Sequence, residues 1–238
     1  IPQACAGYVV GLMQSFMLLE HMEGKKVLLC TGETFCRGNK EKQEPPYYRA
    51  PFGGDAANIT IVENGGQDKI CYEFHQDGSQ RKCLVIPDGA FRNPMTVEQI
   101  QNQIVRMPLT GVVMDGSTVF NFAQKEVPIL VDSLTKMAET TKEDIDWFLF
   151  HQPNKFMLQK LAERIGVPFE KMPMDIVEKF GNSNSATIPT AITADLKEEM
   201  LNKESLCCLA GFGAGVAWAG IIMKMGNMDF CDTIISDL

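Results

Sequence analysis

The sequence predicts a layered α/β fold with a mostly buried sheet, on three observations. Short continuous apolar runs at 26–30 and 146–150 read as buried strands. Phe120, Ala123, Val127, Leu130, Leu134 and Met137 recur at steps of three and four, the period of one helix face. Two apolar runs near the end, 206–210 and 217–225, are separated by a glycine-rich turn. Strands that alternate with helices in this way build sheets covered by helices.

Along the chain, the first element reads as a helix from 6 to about 21. Residues 26–30 (KVLLC) form a strand that stops at Thr31-Gly32. The polar stretch 33–51 holds Pro45-Pro46 and reads as a surface loop. Strand-like runs at 56–62 and 69–75 flank the turn Asn64-Gly65-Gly66, the composition of a hairpin. Residues 76–118 carry turn dipeptides and no period. The helix of Phe120–Met137 contains Pro128, which is expected to kink it. A strand ending at His151 leads into a helix at 154–165 that stops at Gly166, and a further helix is expected at 186–200.

Composition narrows the function. The net charge of −8 disfavours binding of nucleic acid or an anionic membrane through the overall field. Eight cysteines are too few in so long a chain for a disulfide framework, and no C-x-x-C occurs. Reduced, mostly buried thiols in a cytoplasmic protein fit better. The uncharged stretch 1–19 has neither a basic leader nor a small-residue cleavage site. The uncharged stretch 205–223 is broken by Gly211, Gly213, Gly215 and Gly220, which suits two strands and a loop better than a membrane helix.

Four places could carry chemistry. Cys5 stands where the chain enters a helix, and the dipole there favours a thiolate; alone, such a position is more often that of a buried structural cysteine. His151 is one of three histidines and ends a strand, where α/β sheets present functional groups; it would also serve as a helix cap. Gly181-Asn182-Ser183-Asn184-Ser185 leads into a helix, with Ser183, Asn184 or Ser185 as its N-cap. Gly211-Phe212-Gly213-Ala214-Gly215 supplies backbone N–H groups for an oxyanion, or simply a turn.

In combination these segments resemble 3-oxoacyl-[acyl-carrier-protein] synthase III (ketoacyl synthase III) of the thiolase superfamily. The resemblance rests on Ala4-Cys5-Ala6-Gly7, on Asp146-Trp147 with His151-Gln152 and Asn154, on Gly181-Asn182-Ser183, and on Phe212-Gly213 with Trp218. Phe52-Gly53-Gly54-Asp55-Ala56-Ala57 and Met114-Asp115-Gly116 add weaker matches, so the likeness covers nearly the whole chain.

The resemblance implies a thiolase-like α/β/α/β/α architecture with an incomplete N-terminal half. Residues 1–105 would be the remainder of that half and carry the nucleophile, and 106–238 would be the C-terminal half carrying His and Asn. It implies decarboxylating condensation of an acyl-CoA primer with malonyl-acyl-carrier protein, through an acyl-cysteine on Cys5. His151 Nε2 and the Asn182 amide would be donors to the enolate, and the N–H groups of Cys5 and Ala214 the oxyanion hole. Ala214 replaces the family's usual glycine. Arg37, Gly116 and Asn154 match positions along the CoA path. Phe156 stands where many members carry an arginine that docks the carrier protein, a charge that Lys155, Lys160 and Arg164 either replace or, as a solvated face, do not. The resemblance implies no cofactor and no metal, with acyl-CoA and acyl-carrier protein as partners and a cytoplasmic homodimer. Because the family's nucleophile lies roughly a hundred residues into the chain, a preceding segment is expected as well. The rival readings are a related acyltransferase or polyketide-type condensing enzyme with another acceptor, and a non-catalytic subunit of a synthase heterodimer.

Overall fold

The computed structural model describes residues 2–34, 53–66, 68–87, 91, 94, 96–98 and 113–236. A four-stranded sheet carries most of the core. Its strands are β3 (Cys71–Gln76), β6 (Trp147–Phe150), β7 (Glu204–Gly213) and β8 (Ala217–Gly226), in the spatial order β3-β8-β7-β6. β6 runs parallel to β7, and the other pairs are antiparallel. The glycine loop between β7 and β8 therefore makes a hairpin, as the sequence predicts.

Alternation along each strand divides the apolar side chains between two faces. Phe148 and Phe150 of β6 and Cys208, Ala210 and Phe212 of β7 pack under α2 (Gly116–Ala138) and α3 (Lys155–Ile165). Leu149, Cys207, Leu209, Ala219 and Ile221 face the opposite way, toward α1 (Gly7–Leu19), α5 (Thr187–Asp195) and α6 (Lys197–Asn202). α1 also touches a second sheet, the antiparallel pair β1 (Lys26–Thr34) and β2 (Asp55–Glu63), through Leu29 and Val62. The order is thus helix, sheet, helix, sheet: four layers of a thiolase-like α/β fold.

The outer face of the β1–β2 sheet is apolar. Its cross-strand pairs are Leu28–Ile61, Cys30–Ile59 and Gly32–Ala57, and Leu28 and Ile59 are each 62% exposed. Among the described residues no helix covers this face.

Several expectations are corrected. Residues 64–70 do not turn a hairpin, because β2 pairs with β1 and β3 with β8. β3 already belongs to the sheet of the later strands. The expected helix 186–200 is two helices, α5 and α6. Leu196 leaves helical geometry at φ −121°, and Ile192, Leu196 and Met200 all enter one apolar cluster. α2 starts four residues earlier than its apolar face, because Asp115 caps it by accepting from Thr118 N–H at 3.1 Å. It is one helix through Pro128. The stop of α3 at Gly166 holds, with that glycine in the left-handed region at φ 81°. Leu84–Val85 (β4) and Val113–Met114 (β5) form a small ladder within the region read as irregular.

Candidate active site

Cys5 lies in the 3-10 turn Ala4–Ala6 that precedes α1. Ala4 sits in the left-handed region at φ 42°, a conformation that costs a non-glycine residue roughly 1 kcal/mol or more. β7 comes close behind this turn. A Cβ on Gly211 would lie 2.8 Å from the Cys5 carbonyl oxygen, and one on Gly213 would lie 2.8 Å from Cys5 Sγ. The glycines of the loop are therefore needed for close approach of two backbones.

His151 continues the parallel ladder past β6, its N–H donating to Ala210 O at 2.8 Å. The ring is 2% exposed and meets the edge of Phe212, with centroids 5.7 Å apart. The loop of Asn182 enters from the other side. Gly53 and Asn182 form a parallel bridge, and Gly54 N–H donates to Asn182 O at 3.1 Å. A Cβ on Gly54 would overlap the carbonyl of Phe180, and one on Gly181 that of Gly53. Only glycines let these backbones touch, which gives the Gly53-Gly54 motif its physical meaning.

The hydrogen bonds orient the side chains. Asn182 Oδ1 accepts the Asn184 N–H at 2.9 Å, so its NH2 end is the one left to donate. Cys5 Sγ donates to Asn184 Oδ1 at 3.1 Å. Thr187 Oγ1 lies 2.8 Å from His151 Nδ1. Asn184 and Thr187 were not singled out as reacting groups by sequence reasoning. In sequence Asn184 reads as a candidate cap and Thr187 as part of the helix expected at 186–200.

Burial dominates the electrostatics. It pushes the Cys5 thiol from 9.0 up to about 12; the nearby Glu33 charge adds to this, while the backbone N–H groups of Cys5 and Ala214 partly offset it. The helix start thus does not yield a thiolate at neutral pH, contrary to the simplest expectation for that position. The two amides named as an oxyanion hole do both act on Sγ. Burial also pushes His151 from 6.5 down to about 4, against a hydrogen bond to the Asn184 backbone that raises it. At neutral pH the site holds a thiol and a neutral imidazole.

The remaining candidates make local contacts of their own or fall outside the described residues. Arg37 is outside them. Gly116 begins α2, and Asn154 caps α3 by accepting the Met157 N–H at 2.8 Å. Phe156 is 59% exposed and stacks on Phe120, centroids 5.9 Å apart. Lys155 pairs with Asp175 at 2.7 Å and Lys160 with Glu163 at 2.7 Å, so both charges are already engaged within the chain. Six of the seven described cysteines are buried and all seven are free; Cys30 is exposed. Among the described residues no helix is long and apolar enough to cross a membrane.

Residues 135–225 match the family described as "3-Oxoacyl-[acyl-carrier-protein (ACP)] synthase III C terminal". A beta-ketoacyl-[acyl-carrier-protein] synthase III of Synechocystis sp. is 30% identical over 225 residues, 94% of this chain and 66% of the relative. One from Natranaerobius thermophilus is 29% identical over 223 residues, 93% and 66% of the two chains. A crystal structure of a 3-oxoacyl-(acyl-carrier protein) synthase from Burkholderia xenovorans superposes with a TM-score of 0.82 at 31% identity. It covers 98% of this chain and 65% of that one.

By sequence and by fold, this chain is a relative of the synthase III proteins. It spans just under two thirds of the length of the relatives it matches, 66% of the Synechocystis synthase III. A Thermus thermophilus synthase III, at 24% identity and a TM-score of 0.76, agrees on the thiolase-like fold. The matched C-terminal family segment contains His151, Asn182 and Ala214, whereas Cys5 precedes it.

Proposed function

We propose that this chain forms the catalytic part of an acyltransferase of the synthase III type. The reaction joins an acyl-CoA primer to malonyl-acyl-carrier protein, with loss of carbon dioxide, to give a 3-oxoacyl-carrier protein in fatty acid synthesis. The observation that carries this reading is the convergence of Cys5, His151 and the Asn182 loop on one buried site, from segments nearly 180 residues apart.

Cys5 Sγ attacks the thioester carbon of the primer, the bond to CoA breaks, and the acyl group remains on the enzyme. The N–H groups of Cys5 and Ala214 stabilise the charge on the carbonyl oxygen in this step. Malonyl-carrier protein then loses carbon dioxide. The NH2 end of Asn182 donates to the enolate oxygen, and the enolate carbon attacks the acyl thioester. The Cys5 proton leaves with the CoA thiolate in the first step, and His151 Nε2 donates to the enolate oxygen beside Asn182 in the second. Gly116 and Asn154 line the CoA path, and Phe156 meets the carrier protein by apolar contact. A second copy of the chain completes a cytoplasmic homodimer.

Intact-protein mass spectrometry after incubation with a panel of acyl-CoAs tests this. The parent should gain one acyl mass and Cys5→Ala none. Asn182→Ala should still acylate but lose malonyl decarboxylation by roughly a hundred- to a thousandfold, the usual cost of one oxyanion donor. Equal labelling of Cys5→Ala, or decarboxylation at the parental rate in Asn182→Ala, would sink the reading.

A further inference from the structure

Asn184 stands between two side chains of the site. It opens the 3-10 turn Asn184–Ala186 and sits in the left-handed region at φ 49°, which asparagine and glycine enter at least cost. Its backbone N–H donates to Asn182 Oδ1 at 2.9 Å. Its own side-chain Oδ1 lies 3.1 Å from Cys5 Sγ. An amide oxygen can only accept, so the proton of this contact belongs to the sulfur. One residue therefore holds the thiol with its side chain and the Asn182 amide with its backbone.

A hydrogen bond made by the neutral form of a group disfavours the charged form. A thiolate has no proton to give, and here it would face the negative end of the Asn184 amide. We infer that Asn184 is a positioning residue that restrains Cys5, holding its sulfur as a hydrogen-bonded thiol in the resting protein. The restraint bears unequally on different electrophiles. An alkyl iodide releases iodide, too weak a base to take up the proton, so it must wait for the free thiolate. A thioester releases a thiolate, which takes the proton itself.

The consequence for catalysis rests on the proposed acyl transfer. The bond from Sγ to the acyl carbon forms, the bond from that carbon to the CoA sulfur breaks, and the Sγ proton goes to the departing CoA thiolate. An acylated sulfur has no proton to give, so the link to Asn184 exists only before acylation.

Difference Raman spectroscopy of the parent against Cys5→Ala isolates the Cys5 S–H stretch. Its band should lie at lower frequency in the parent than in Asn184→Gly, which accepts the left-handed backbone and keeps the N–H to Asn182 but has no oxygen for the sulfur. Alkylation of Cys5 by iodoacetamide, followed on its own peptide by mass spectrometry at fixed pH, gives the second reading. It should be about tenfold faster in Asn184→Gly and about tenfold slower in Asn184→Asp, a factor of ten for each unit of thiol acidity. Asn184→Asp matches the parent in size, so its slowing does not come from access. An S–H band at one position in the parent and Asn184→Gly, or alkylation of Asn184→Asp as fast as the parent, overturns the inference. If Asn184→Gly does not fold, the comparison of parent with Asn184→Asp decides. A parent that alkylates in the expected order but takes no acyl group from acyl-CoA would overturn the proposed activity and support the restraint.

Discussion

His151 is a group that water would protonate just below neutral pH and that the fold keeps neutral. Its ordinary value of 6.5 is pushed down to about 4 by burial. The unfolded chain therefore takes up a proton near pH 6.5 and the folded chain does not. Stability from this source is whole above that pH and is lost as the pH falls toward 4, by about 3 kcal/mol. Denaturant unfolding across this range should show the decline in the parent and a shallower one in His151→Gln; identical slopes would contradict the burial of a neutral ring. At this scale Cys5, His151 and Asn182 were legible because each sits in a local motif. Thr187 was not, because its hydroxyl meets His151 and Gln152 from 36 and 35 positions away. The thiol of Cys5 was misjudged for a related reason: a helix start can be seen in sequence, but the depth of burial that outweighs it cannot.

The contact between the Gly53-Gly54 strand entry and the Asn182 loop shows how two elements hold a third. Gly54 donates to Asn182 O, and its Cα hydrogen faces the Phe180 carbonyl where a side chain would collide. Gly54→Ala is expected to cost about 1–3 kcal/mol, since backbone cannot give way as a side-chain tip can. It should also impair decarboxylation more than acylation, because it moves Asn182 and not Cys5. Gly65→Ala, which meets open space, is the control and should stay within about 0.5 kcal/mol. Thermal unfolding with the two half-reaction assays would test this; equal effects of the two variants would refute it. Elements with a strong period or a firm cap, such as α3 and its Gly166 stop, were readable from sequence. Pairings were not: strand composition says that β2 and β3 are strands, but only packing says that they belong to different sheets.

Across the molecule, the layers follow from strands that are apolar on both sides. β1 and β2 have one side against α1 and, among the described residues, nothing over the other, so Leu28, Ile59 and Ile61 leave a continuous apolar face there. A face of this kind should bind anilinonaphthalene sulfonate and promote concentration-dependent self-association. The double change Leu28→Lys and Ile59→Lys should reduce both and leave the helix content unaltered. Equal dye binding and sedimentation in the two proteins would show the face to be covered in solution. The layered class was legible because alternation and period suffice for it, whereas the division of the sheets was not, since β3 joins partners almost 150 residues away. The same distances govern how the site comes into being. Cys5 meets Asn184 across 179 positions, so this contact joins segments far apart in the chain. Loops of that length must close before either residue gains anything, which makes such contacts slow to form and late to appear. The catalytic cluster should therefore assemble only when the whole topology does, and no short fragment of the chain should carry a partial version of it.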